Sequence, residues 1–304
     1  MTRLALKIDV DTYRGTLIGV PRLVELLRQH NANATFLFSL GPDHTGRAIK
    51  RAFRPGFMKK VSRTSVVEHY GLKTLMYGTV LPGPDIGRKC ADIMRGVRDA
   101  GFEVGIHCWD HVRWQDNVEH ADMAWTEREM SAACDRFHEI FRTRARTHGA
   151  AGWQMNAHAL RLTQRYDFAY ASDTRGTHPF MPVHNAEIVN CPQLPTTLPT
   201  LDELIGIDCI SVDNVHETLL EKTRQPPVHG HVYTLHAELE GMKLAPVFDR
   251  LLQGWTEQGY VLSTLESIHG DLDLATLPRH EVIRGELPGR SGTLMLQGPE
   301  FLAD

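Results

Sequence analysis

The chain has 304 residues, 42% of them hydrophobic and 23% charged, which is ordinary for a soluble globular protein of one large α/β domain or two small ones. Its net charge of -4 supplies no overall basic field of the kind that binds nucleic acid. Five scattered cysteines without a Cys-x-x-Cys spacing, an N-terminus without a leader-like apolar run, and no window of roughly 18 apolar residues lead us to expect a cytoplasmic protein, free or peripherally bound to a membrane.

Residues 4–10 (LALKIDV) form a short apolar run, the pattern of a buried first strand. It leads into Asp9-Val10-Asp11, and carboxylates two apart share one face of a strand. An unpaired buried carboxylate costs about 3 kcal/mol. Capping of the next turn would account for one of them but not for both. Residues 18–30 carry Val20, Leu23, Leu26 and Leu27 at helical spacing, with Pro21 near the start. Residues 34–40 (ATFLFSL) read as a second buried strand, so the chain opens with a βαβ unit and a parallel sheet.

Residues 43–85 interrupt this rhythm. Between Asp43 and Arg63 stand seven basic residues (Arg47, Lys50, Arg51, Arg54, Lys59, Lys60, Arg63) and one acid. Phe53, Phe57, Met58 and Val61 recur among them on one helical stripe. The pattern fits a helix lying in a membrane interface, and equally a solvated helix packed on the body. Residues 72–81 read as a second half of the same lid.

A helix over 86–100 precedes the strand that runs into His107. His107 and His111 are four apart, about one helical turn, so both imidazoles can face one way. Residues 123–141 form a long helix with Met130, Cys134, Phe137, Ile140 and Phe141 as its core face. The small residues of His148-Gly149-Ala150-Ala151-Gly152-Trp153 mark a close backbone approach, at a turn or beneath a ligand. Residues 168–172 form a strand ending in Asp173, with Arg175 two further on; Pro179 and Pro182 read as a loop. A strand at 187–190, helices at 201–205 and 215–222, and a strand at 231–235 ending in His236 follow. A helix over 247–258 and a strand over 260–263, with Thr264 as a helix cap, complete the pattern. From about 270 no firm pattern remains.

In parallel α/β folds the C-terminal ends of the strands share one rim, and that rim holds the active site. A fold that gathers these strand ends makes Asp11, His107 and His111 a carboxylate-plus-two-His metal site with an open position for water. Asp9 then stands beside that water as general base, and His236 as general acid. Together they describe metal-assisted hydrolysis of an amide-like bond.

Asp-x-Asp after the first strand, His-x-x-x-His after the third and a late Leu-His resemble the polysaccharide deacetylase family (NodB-like, carbohydrate esterase 4). The resemblance implies an irregular (β/α) barrel with fewer than eight parallel strands. It implies a single catalytic domain over 1–304, with a basic amphipathic insertion at about 43–85 and an irregular tail from about 270. It also implies Asp9 as catalytic base, His236 as catalytic acid, and one divalent ion (Zn, Mn, Co or Fe) on Asp11, His107 and His111. The family's third motif carries an arginine that orients the base. The corresponding residues 148–153 have none, so Arg175 is the candidate, with Asp173 and Trp153 as further substrate-binding or orienting residues.

The stretches KIDVDTYRGTLIGVPRL, HCWDHVRWQ, AAGW, SDTRGTHPFMP, LPTLDELIG and YTLHAELEG resemble, in order, one bacterial branch. That branch removes formate from 4-deoxy-4-formamido-L-arabinose on undecaprenyl phosphate. Its product is the free amino sugar, used in lipid A modification and in resistance to polymyxin and other cationic antimicrobial peptides. The implied partners are the undecaprenyl-phosphate-linked amino sugar and the inner-membrane surface, with no nucleic acid. The implied location is cytoplasmic, peripheral on the inner face of the inner membrane. A lipid-linked substrate favours the interfacial reading of residues 43–85: basic residues meet anionic head groups while Phe53, Phe57 and Met58 dip into the acyl boundary. The alternative within the family is a deacetylase of N-acetylated amino-sugar polymers. Glu238 and Glu240 read as ligand-binding or merely solvated.

Overall fold

The computed structural model describes residues 2–48, 73–290 and 292–302. β1 (Arg3–Val10) is central, and its side chains alternate between two destinations. Leu4, Leu6, Ile8 and Val10 belong to the main apolar core, while Lys7 and Asp9 are buried on the opposite face, inside the curled sheet. A π-helical turn at Gly15–Gly19 leads into α1 (Val20–Gln29), which buries Val20, Leu23 and Leu27. Each such aliphatic side chain contributes about 2 kcal/mol by leaving water. β2 (Thr35–Ser39) follows, then α2 (Ile86–Lys89) and α3 (Ala91–Asp99), so the helix expected over 86–100 is broken at Cys90. β3 (Glu103–Cys108), α4 (His111–Asn117), α5 (Met123–Phe141), β4 (Thr147–His148), α6 (Ala157–Arg165) and β5 (Tyr170–Ala171) continue the alternation. After β6 (Met181–His184) and β7 (Glu187–Ile188) come α7 (Leu201–Leu204), α8 (Val215–Lys222), β8 (His231–His236), α9 (Ala245–Glu257), β9 (Val261–Ser263) and α10 (Leu265–Gly270). Thr264 caps α10 by accepting from Ser267 N.

The main sheet has seven parallel strands in the order β5-β4-β3-β2-β1-β8, with β9 against the first residues of β1. This is the irregular parallel (β/α) barrel of fewer than eight strands. Its open edge is spanned by extended chain at 192–197: Leu194 N donates to Ala171 O beyond β5, and Thr197 N donates to Val232 O of β8.

The stretch from about 270, expected to be irregular, instead contains β10 (Arg279–Gly285) and β11 (Leu294–Glu300). They join β6 and β7 in a second sheet ordered β11-β10-β6-β7. In β10 only His280 and Val282 are buried, too short an alternation to read locally, and β6 was obscured by Pro182 within it. The second sheet grips the barrel at Arg175, whose N–H donates to Met295 O and whose carbonyl accepts from Gln297 N.

Phe53, Phe57 and Met58 lie outside the described residues. The flanks of their segment are tied together: Asp43 N donates to Pro84 O, Gly46 N to Tyr77 O, and the Arg47 Nε to Gly78 O. That neck is fixed to the rim, because Tyr13 N donates to the Asp43 carboxylate and His44 pairs with Asp110. Among the described residues no helix is long and apolar enough to cross a membrane.

Candidate active site

Lys7, Asp9 and Asp11 follow one another at every second position, so the end of β1 sends three charged side chains the same way. β8 lies beside β1 with His236 in register with Asp9, which makes the two side chains neighbours about 5 Å apart on one face. β3 brings His107 to the same rim. His107 and His111 do not share a helical turn. β3 ends at Cys108, Asp110 caps α4 by accepting from Arg113 N, and His111 is the first residue of that helix. A strand-to-helix corner therefore aims both imidazoles at Asp11.

One donor atom each of Asp11, His107 and His111 lies within 4.8 Å of the others. His107 Nε2 is 3.2 Å from Asp11 Oδ1, and His111 Nε2 is 3.4 Å from Asp11 Oδ2. His107 Nδ1 donates to Gly149 O at 2.7 Å, so a neutral imidazole turns the lone pair of Nε2 toward the carboxylate. Asp11 Oδ1 is buried without a hydrogen-bond partner. A lone pair facing an orphaned carboxylate oxygen at 3.2 Å fits a divalent cation shared by the three residues. Burial pushes the Asp11 carboxyl up, but the neighbouring His111 and His107 outweigh it and hold it well below the usual carboxylate range. Burial lowers His107, and Asp9 and Asp11 more than reverse that.

Glu238 and Glu240 are not solvated: both are buried. Glu238 Oε1 accepts from Asp11 N at 3.0 Å, Thr12 N at 2.8 Å and Thr12 Oγ1 at 2.8 Å. Burial and the Asp11 charge push its carboxyl well above the usual range. Glu240 accepts from His236 N at 2.9 Å and from the Tyr233 hydroxyl at 3.2 Å. The two carboxyls thus brace the backbone on either side of the rim. They mark positions 236–240 as a clamp on the ends of β1 and β8.

The remaining predicted residues serve the loops around the triad. Asp173 is fully buried and accepts from Ala150 N at 2.8 Å and Gln193 Nε2 at 3.3 Å, with His148 Nδ1 at 2.7 Å; it shapes the loop whose Gly149 carbonyl holds His107. Trp153 is buried, and its Nε1 donates to Thr196 Oγ1. Arg175, expected to orient Asp9, instead donates from Nη1 to Glu203 at 2.6 Å and from Nη2 to Leu198 O at 2.9 Å. It reaches the second-sheet side of the barrel because its backbone is paired there. Asp9 has its ion pair within its own strand, with Lys7 Nζ at 3.3 Å from Oδ2. Around the Trp153 ring stand three cations: Lys7 at 5.0 Å, Arg175 at 4.9 Å and Arg290 at 4.5 Å. Lys7 was missed although its spacing from Asp9 repeats that of Asp9 from Asp11. Arg290 offered no signal, because it lies in the tail.

No family model matches the chain. The protein named "Probable 4-deoxy-4-formamido-L-arabinose-phosphoundecaprenol deformylase" of Shewanella sediminis is 37% identical over 98% of this chain and 95% of its own length. The protein of the same name from Wigglesworthia glossinidia brevipalpis is 30% identical over 93% of this chain and 98% of its own. Among solved structures, a Mycobacterium smegmatis protein assigned as a polysaccharide deacetylase superposes with a TM-score of 0.63 at 16% identity, covering 94% of this chain and 96% of that one. The Bc1960 peptidoglycan N-acetylglucosamine deacetylase gives 0.52 at 14% identity, over 88% and 87%. These structures share the fold. The end-to-end sequence identity goes further, and the chain belongs to the family of the 4-deoxy-4-formamido-L-arabinose-phosphoundecaprenol deformylases.

Proposed function

We propose that the chain is a metal-dependent amide hydrolase that removes formate from 4-deoxy-4-formamido-L-arabinose carried on undecaprenyl phosphate. The observation that supports this most is the meeting of Asp11, His107 and His111 on the rim where Asp9 and His236 stand side by side. A divalent ion held by the triad supplies Lewis acidity at the amide oxygen and a water of lowered pKa. Asp9 accepts the water proton at its unpaired Oδ1, the oxygen left without a hydrogen bond. His236 gives a proton to the departing nitrogen as the C–N bond breaks, leaving formate and the amino sugar. The amine is cationic at neutral pH, which is the charge change that lipid A modification and resistance to cationic peptides require.

Formate release from the formamido sugar on a phosphoprenyl carrier, against release of acetate from an N-acetylated amino-sugar polymer, tests this reading. Formate release is expected to dominate, to vanish on chelation and to return with one of Zn, Mn, Co or Fe. Asp9→Asn and His236→Ala should each lower kcat about a hundredfold or more. Preference for the acetylated polymer, or full activity in either variant, rejects it.

We further infer that the enzyme works at the membrane surface. Leu17 and Ile18 are exposed in the turn after β1, and Val80 is exposed in the stretch that closes the neck flanking the basic segment. Phe53→Ser with Phe57→Ser should reduce co-flotation with anionic liposomes severalfold; undiminished flotation removes the membrane role of these residues.

A further inference from the structure

We propose that Lys7 is the positioning residue for Asp9: its ammonium captures one carboxylate oxygen so that the other is presented to the reacting centre. This rests on the reading of Asp9 as the base. The side chain of Lys7 is wholly buried, and its Nζ, without a hydrogen-bond partner, forms its ion pair with Asp9 Oδ2 at 3.3 Å. A buried ammonium is costly unless it is paired, so a lysine at this place calls for a reason beyond packing.

The surroundings are shaped for it. The Trp153 ring centroid lies 5.0 Å from Nζ, within reach of a cation–π contact. A Cβ added to Gly149 would meet Lys7 Cε at 2.9 Å and Leu37 Cδ1 at 2.4 Å, so the small loop residue keeps the channel open. The close approach expected at this loop is therefore the approach of Lys7. Arg175 and Arg290 are both engaged with Glu203. The two oxygens of Asp9 are thereby distinguished. Oδ2 is held by Lys7, whereas Oδ1 has no hydrogen bond and lies 3.7 Å from His107 Nδ1, whose proton goes to Gly149. The cation that orients the base comes from two positions earlier in the same strand, not from the loop after β4.

The test compares Lys7→Met, Lys7→Arg, Asp9→Asn and the Lys7→Met/Asp9→Asn double variant in the metal-loaded protein. The readouts are formate release and metal content. Lys7→Met is expected to lower kcat about a hundredfold with KM and metal stoichiometry within about twofold of wild type. Lys7→Arg should recover most of that loss, and the double variant should be no slower than Asp9→Asn alone. A wild-type kcat in Lys7→Met, loss of metal with the lysine, or fully additive losses in the double variant would each overturn the proposal. Should Lys7→Met not fold, Lys7→Gln, which keeps a donor without the charge, is read the same way. Full activity in Asp9→Asn would sink the base reading and this proposal together, whereas an inactive Asp9→Asn beside an active Lys7→Met sinks only the proposal.

Discussion

Burial pushes the carboxyls of Glu103, Glu129 and Glu240 up to about 7. Glu103 shows the consequence away from the site. At the start of β3, it takes hydrogen bonds from the Thr35 and Tyr170 hydroxyls and from Glu266 N. A carboxyl whose folded pKa lies above its ordinary 4.5 binds its proton more tightly in the folded state. Its contribution to stability is therefore full at low pH and is lost as pH rises from about 4.5 through about 7. Glu103→Gln should shrink the fall in unfolding free energy between pH 5 and pH 8 by about 1–3 kcal/mol, measured by urea denaturation. An unchanged pH dependence would mean that Glu103 titrates as an exposed carboxylate.

The π-helical turn after β1 shows what an element contributes. Its first residue, Gly15, has its N–H bonded to Thr12 Oγ1, and an added Cβ would lie 1.9 Å from Glu238 Oε1. Gly19, its last, would place a Cβ 2.1 Å from Ala237 O. The turn is pressed against the segment after β8, and the contact seats Glu238 on the backbone of Asp11 and Thr12. Gly15→Ala should cost about 2 kcal/mol and weaken metal binding, because the displaced Glu238 releases the backbone of a ligand residue. Urea denaturation and metal titration measure the two effects. A stable variant with wild-type metal affinity would show that the clamp is not needed. The turn expected after the first strand takes in Gly15, but what the two glycines make room for is more than 200 positions away and cannot be read from it.

At the scale of the whole molecule, what was legible locally and what was not divide along contact range. The apolar runs at 4–10 and 34–40 and the periodicity of 20–27 and 123–141 announce β1, β2, α1 and α5, because strand and helix periods are written in neighbouring residues. Asp9, Asp11, His107, His111 and His236 stand out because charged or metal-binding side chains at strand ends are poor packing choices. β6, β10 and β11 are different: β6 and β10 pair across about 100 residues of sequence, and although β11 pairs with the nearby β10, the short, half-exposed alternation of these strands is too weak to read by itself. The chemistry available to the protein, two carboxylates and two imidazoles at the ends of parallel strands with His111 at the start of the helix after β3, was set by the order of residues alone. Which groups hold them was decided by the fold. Arg175 is drawn away to Glu203, which leaves Lys7, two positions back on the same strand, as the cation on Asp9; Glu238 meets the backbone of Asp11 because barrel closure brings the end of β8 beside that of β1, at a distance that no local pattern encodes.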